Sequence, residues 1–144
     1  MLYRVAPCIG PKLISILHRM GHGDEIVLAD AFFPGEAFNG RTVRADGVRM
    51  TDLLDGVLGL INLDTYVADP VVMMAPVAGD QADPTVEPSY RAVIDRRWPG
   101  SPATTFIDRF AFYDRARRAF AVVTTGETVK YGNIILKKGV IPLV

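Results

Sequence analysis

Apolar residues along this chain fall into two alternating spacings. Behind Pro11, which suits a first helical turn, Leu13, Leu17 and Met20 recur at i, i+4 and i+7 until Gly21 closes the pattern, so a helix with one inward face is predicted. The segment Glu25-Ile26-Val27-Leu28-Ala29 is continuously apolar after its first residue, as expected of a short strand buried on both faces. Phe32-Phe33-Pro34-Gly35-Glu36 reads as a turn-rich loop, and Thr42-Val43-Arg44-Ala45 as a short strand before the turn signal Asp46-Gly47. Thr51 or Asp52 can cap a helix whose Leu53, Leu54, Val57, Leu58 and Ile61 share a face, and Val71-Val72-Met73-Met74-Ala75 is a second buried strand. Tyr90, Val93 and Ile94 mark a helix ending near Trp98-Pro99-Gly100. Thr104 to Asp108, Phe120 to Thr124 and Asn133 to Leu136 are further strands, with an amphipathic helix from Arg109 to Arg118 and a turn at Gly126 between them. Strands separated by helices imply parallel pairing, so the expected fold is α/β: one three-layer α/β/α domain over residues 1–144 with a mostly parallel central sheet.

Composition narrows the function classes. A chain of 144 residues is long enough to bury a core without metal or disulfide support. Sixteen basic and sixteen acidic residues cancel, which argues against a nucleic-acid partner recognised through its phosphates. Cys8 is the only cysteine; with apolar neighbours and no possible internal partner, it reads as a buried, reduced thiol in a cytoplasmic protein. Met1 to Pro7 lacks the apolar core of a signal peptide, and no apolar run approaches the ~20 residues of a membrane span, so no membrane association is expected.

The candidate chemistry starts at Met20-Gly21-His22-Gly23-Asp24-Glu25. Glycines on both sides leave His22 bare at a corner, and Asp30 stands where the following strand leaves the sheet, a position at which open α/β sheets bind ligands. The plain alternative gives His22 a turn hydrogen bond and makes Asp24 or Asp30 a cap. Tyr131 and Asn133 flank Gly132 before the last strand, where a phenol and a carboxamide could hold sugar hydroxyls, or could pack at an edge and make a turn. Arg109 opens a helix, where the dipole disfavours a cation, which hints at a role beyond pairing with Asp108; Arg115, Arg117 and Arg118 lie in the last turn and read as a solvated face.

Taken in order, Pro11-Lys12-Leu13, Met20 to Asp24, Asp30 with Phe33-Pro34, Arg44-Ala45-Asp46-Gly47, Arg109-Phe110-Ala111-Phe112-Tyr113 and Tyr131 to Val140 resemble the fucose mutarotase branch of the family that also contains ribose pyranase. The similarity covers nearly the whole chain. It implies a cofactor-free, cytoplasmic sugar mutarotase with no metal, whose proton-transferring histidine matches His22 and whose sugar-binding positions match Asp30, Arg109, Tyr131 and Asn133. It also implies a large ring-like homo-oligomer, commonly a decamer, with sites near subunit contacts, in which the last segment, Tyr131 to Val144, is expected at or near an interface. Ribose-type members carry a histidine-containing segment in place of Arg109 to Tyr113, and Tyr-Ala-Asn in place of Tyr131-Gly132-Asn133, so both differences favour the fucose side. Fucose-type relatives often have a histidine where this chain has Phe32, which bears on the identity of the sugar. Two further readings stay open: a metal-dependent hydrolase using His22, Asp24, Asp30 and Asp46, for which only two histidines are present, and a monosaccharide-binding protein without catalysis.

Overall fold

In the computed structural model, which describes residues 1–143, six strands form one sheet in the order β2-β5-β1-β6-β3-β4. The elements follow the chain as α1 (Pro11–Arg19), β1 (Glu25–Ala29), α2 (Gly35–Phe38), β2 (Thr42–Arg44), α3 (Met50–Leu58), β3 (Val71–Met74), α4 (Val86–Arg97), β4 (Thr105–Ile107), α5 (Arg109–Arg118), β5 (Ala121–Thr124) and β6 (Ile134–Lys137).

The unbroken apolar runs have a direct cause, since each inner strand is covered on both faces and successive side chains point to opposite ones. Ile26 and Leu28 of β1, Ala121 and Val123 of β5, Ile134 and Leu136 of β6, and Val71 and Met73 of β3 pack with buried residues of α1, α3 and α4. Val27, Ala29, Val122, Ile135, Val72 and Met74 form a second core with Phe33 and with Phe112 and Ala116 of α5. Three layers result.

β1 runs parallel to β5, β5 to β2, and β3 to β4. β6 is antiparallel to both its neighbours, β1 and β3. The reason lies in its connection: residues 125–133 contain no helix to carry the chain back across the sheet, so β6 starts from the end at which β5 stops. Five strands therefore share one direction and a single reversed strand lies among them.

Local differences from the pattern-based reading have packing causes. α3 begins at Met50, with no side-chain cap from Thr51 or Asp52, because Met50 is fully buried and draws the first turn into the core. The segment read as a loop after Phe33 contains the four-residue α2, too short for periodicity to reveal and held by Phe38 against Phe33 and Tyr113. Arg115 is not a solvated-face residue: only 16% exposed, it pairs with Glu25 and with Asp69. Cys8 is half-buried, its thiol 3.5 Å from the Asp52 carbonyl.

Candidate active site

The polar residues singled out by the sequence divide between the two ends of β1. Gly23, at φ 85°, turns the chain between α1 and β1, and His22 stands on that corner. Asp24 has a capping role, its carboxylate accepting the Gly21 N–H at 2.7 Å, while the Lys138 carbonyl accepts the Gly23 N–H at 2.8 Å. The His22 imidazole is 46% exposed, and its Nε2 lies 3.1 Å from Oδ1 of Asp64, whose side chain is only 3% exposed. The same oxygen accepts the Tyr66 N–H at 2.9 Å, and the Tyr66 ring stands 5.3 Å from the imidazole, tilted by 53°. Burial pushes the Asp64 carboxyl up, but the Tyr66 N–H, His22 and Lys137 outweigh it and hold the group below its ordinary value.

At the other end, the chain leaving β1 and β4 and the chain arriving at β6 meet around a recess of about 230 Å³, lined by Asp30, Phe32, Arg109, Tyr131 and Asn133 among others. Asp30 is buried, its carboxylate accepting the Phe32 N–H at 2.9 Å and its own N–H donating to Oδ1 of Asn133 at 2.7 Å. Burial raises the Asp30 carboxyl above its usual value; the Phe32 N–H, Asn133 and the Phe33 N–H oppose the shift, and Glu127 adds to it. A carboxyl so placed is well suited to a neutral, hydroxyl-rich ligand, which can replace the lost water with directed hydrogen bonds.

Asp108 caps α5 by accepting the N–H groups of Phe110 and Ala111, both at 3.0 Å. That cap occupies the carboxylate proposed as a simple partner for Arg109, and the Arg109 guanidinium lies instead over the rings of Phe110 and Tyr113, 5.1 and 5.7 Å from their centroids. Its donors are thereby held at the recess by stacking. Tyr131 adopts φ 60°, a left-handed conformation that costs a non-glycine residue about 1–3 kcal/mol and concentrates at functional sites. Its hydroxyl donates to Asp80 at 2.7 Å and accepts the Val77 N–H at 3.3 Å, while Lys130 pairs with the same carboxylate at 2.9 Å. Lys130 first, then Tyr131, lowers the Asp80 carboxyl to about 2. Phe32 is 76% exposed at the rim.

The structure thus brings Asp30, Arg109, Tyr131, Asn133 and Phe32 together and leaves His22 out. Asp30 cannot orient His22 within one chain, because the whole of β1 separates them; Asp64 makes that contact. Asp64 and Asp80 escaped sequence reasoning because each sits in an irregular loop, 42 and 51 positions from the residue it contacts, with no periodic signal. The proposed metal set does not converge either: Asp24 caps a turn, Asp46 pairs with Arg44 at 2.8 Å, and Asp30 lies at the far end. Among the described residues no three His, Cys, Asp or Glu side chains are grouped to hold a metal ion, and no helix is long and apolar enough to cross a membrane. A larger recess of about 580 Å³ beside Cys8, Asp52 and Asp55 offers less chemistry, since Asp55 is already paired with Arg96 and Arg97.

The profile of the RbsD / FucU transport protein family matches residues 4–141, which contain every one of these side chains. The chain belongs to the RbsD/FucU family. One RbsD/FucU relative, the L-fucose mutarotase of Histophilus somni (strain 2336), is 51% identical over 143 residues, covering 99% of each chain. The crystal structure of the fucose mutarotase in complex with L-fucose from Streptococcus pneumoniae superposes with a TM-score of 0.92 at 42% identity, covering 98% of this chain and all of that one. Bacillus subtilis RbsD complexed with D-ribose shares the fold, with a TM-score of 0.73 at 20% identity over 99% of this chain and 100% of that chain. Within the RbsD/FucU family, this chain therefore lies on the fucose mutarotase side.

Proposed function

We propose that this protein is a sugar mutarotase that interconverts the α and β anomers of L-fucose or a closely related monosaccharide, in the cytoplasm and without cofactor. The observation that carries the reading is the recess in which Asp30, Arg109, Tyr131 and Asn133 converge beneath an exposed Phe32, in a chain so similar to proteins named L-fucose mutarotase. Mutarotation asks for little beyond such a site. One proton goes onto the ring oxygen and one leaves the anomeric hydroxyl; the bond from C1 to the ring oxygen breaks, and C1 becomes an aldehyde. Rotation about C1–C2 presents its other face, and the reverse proton transfers close the ring. A millionfold acceleration corresponds to about 8 kcal/mol, of which a placed acid/base supplies ~10²–10⁴-fold and orientation of the sugar the rest. His22 is the donor and acceptor in this reading. Asp30 and Asn133 receive and give hydroxyl bonds, Arg109 donates to ring or hydroxyl oxygens, and Tyr131, anchored by Asp80, sets the face presented.

This division of labour requires a second copy of the chain. The five residues of β1 alone span about 17 Å, too far for one pyranose to touch both His22 and the recess of its own subunit. We therefore place His22 of one copy over the recess of the next, in a ring-like homo-oligomer of decameric type. Exposed apolar groups at both ends support that contact: Tyr66, Val140 and Ile141 on the side of His22, and Phe32 and Phe110 at the recess. The interface segment expected from sequence, Tyr131 to Val144, contributes Tyr131 to one end and Val140 to the other; Val144 lies outside the described residues. The test is anomer exchange measured by NMR with fucose, galactose, ribose and arabinose in parallel. Exchange of fucose ahead of the others is the expected result, ribose as the best substrate would move the protein to the other branch, and binding without exchange would make it a sugar carrier.

A further inference from the structure

Tyr90, on the inward face of α4, is only 2% exposed and belongs to the core shared with α1 and α3. A phenol buried so deeply needs an acceptor for its hydrogen, and the Gly132 carbonyl supplies one at 2.9 Å. Burial raises the Tyr90 phenol above its ordinary value, with Glu127 and Asp30 adding to the rise, so the donor is present throughout the neutral range. Gly132 is held close. A Cβ built there would stand 2.9 Å from Cγ1 of Val129 and 3.1 Å from both the Tyr90 hydroxyl and the Val129 carbonyl oxygen, so only bare backbone fits. The neighbours of this glycine are Tyr131 and Asn133, and Ile134 is the first residue of β6 paired with β1 and β3, so all three lie ahead of the ladder. Tyr131 packs against the opposite core, and Tyr90 does not line the recess.

We infer that Tyr90 is a positioning residue of the recess: its hydroxyl, through the Gly132 carbonyl, keeps Tyr131 in its left-handed conformation and Asn133 against Asp30. The inference rests on the reading of the recess as the sugar site. The strain of one left-handed residue such as Tyr131, at φ 60°, and the contribution of one buried hydrogen bond are of the same order, so the bond can hold a conformer that the local backbone would otherwise leave. Without the hydroxyl the Gly132 carbonyl is buried and unpaired, and turning the peptide relieves that defect and the strain together. Asn133 moves with it, and because its Oδ1 accepts the Asp30 N–H at 2.7 Å, the displacement reaches the buried carboxylate. A site that is competent for a fraction of the time binds its ligand more weakly by that fraction. Proton transfer at His22 is untouched once the sugar is seated. The signature is a raised KM with kcat little altered. Asp80 restrains Tyr131 at its hydroxyl and Tyr90 restrains it through the backbone, so the two hold opposite ends of one side chain.

The test is Tyr90→Phe in the full chain, which keeps the ring that fills the core and removes only the hydroxyl. NMR anomer exchange with L-fucose should give a KM about 3–10-fold higher and a kcat within about twofold of wild type. Hydrogen exchange over residues 127–136 should quicken in the sugar-free protein. A Tyr90 that only fills the core would lower the melting temperature and leave KM and segment exchange as in wild type, and that result overturns the inference. Gly132→Ala displaces the same contact from the backbone side and should give the same signature by itself, so a Gly132→Ala protein with wild-type KM overturns the inference even if Tyr90→Phe does not fold. In the double variant KM should rise by less than the product of the two single factors, because removing the hydroxyl also makes room for the methyl group; factors that multiply would show two independent defects and refute the coupling. Absence of anomer exchange in the wild-type protein would overturn the functional reading instead, and hydrogen exchange of Tyr90→Phe would still decide whether Tyr90 holds the segment.

Discussion

If each site takes His22 from one copy and the recess from another, two inactive variants must make active sites when mixed. His22→Gln removes the proton carrier and leaves the recess intact; Tyr131→Ala removes a sugar contact and leaves His22 intact. After dissociation and random reassembly at equal amounts, a site is wild type only if both contributors are, so about one quarter of sites recover. With x the fraction of His22→Gln subunits, the recovered rate follows x(1 − x), rising from near zero at either extreme to its maximum at the equal mixture. The structural ground for this curve is the length of β1, which keeps His22 and Tyr131 at opposite ends of each chain. The assay is NMR anomer exchange on mixtures whose co-assembly is verified by native mass spectrometry. Hybrids that demonstrably contain both subunits and show no more than the summed residual rates would refute the shared site, and a protein sedimenting as a monomer would refute it one step earlier.

By itself, His22→Gln should keep the fold and most sugar affinity while slowing exchange by at least ~10²-fold; a plain turn histidine would instead show an unchanged rate and a stability loss of ~1 kcal/mol in urea titration. Phe32 at the rim should favour a 6-deoxy sugar over its 6-hydroxylated counterpart, so fucose should be exchanged faster than galactose by no more than about 10²-fold, and Phe32→Ala should narrow that ratio in parallel kcat/KM measurements. Asp80→Ala should raise KM more than it lowers kcat, because it releases the Tyr131 hydroxyl from its anchor without touching His22. The Asp80 carboxyl is depressed to about 2, so its contribution is complete above its unfolded value near ~3.9 and is lost as pH falls toward 2; the Tyr131 ring resonances of the folded protein should hold steady from neutrality to about pH 3 and shift as the pH approaches about 2.

What the sequence determined by itself was everything carried by local periodicity and chain order. Ile26 to Ala29 and Val71 to Met74 announced strands buried on both faces because they are apolar at every step, and Leu13 and Leu17 announced a helix because they are spaced for one face. Asp30, Arg109, Tyr131 and Asn133 were grouped by the resemblance to the fucose mutarotase branch, and they do line one recess. Tertiary structure alone decided the rest. The reversal of β6 depends on a connection without a helix, and its place between β1 and β3 on pairings far apart in the chain. The contacts of Asp64 with His22 and of Asp80 with Tyr131 cross long loops whose composition says nothing of their destination. Above all, the sequence set His22 eight positions from Asp30, and only the extended backbone between them converts that nearness in number into opposite ends of the molecule: a strand advances about 3.4 Å per residue, whereas a turn would have brought the two side chains together.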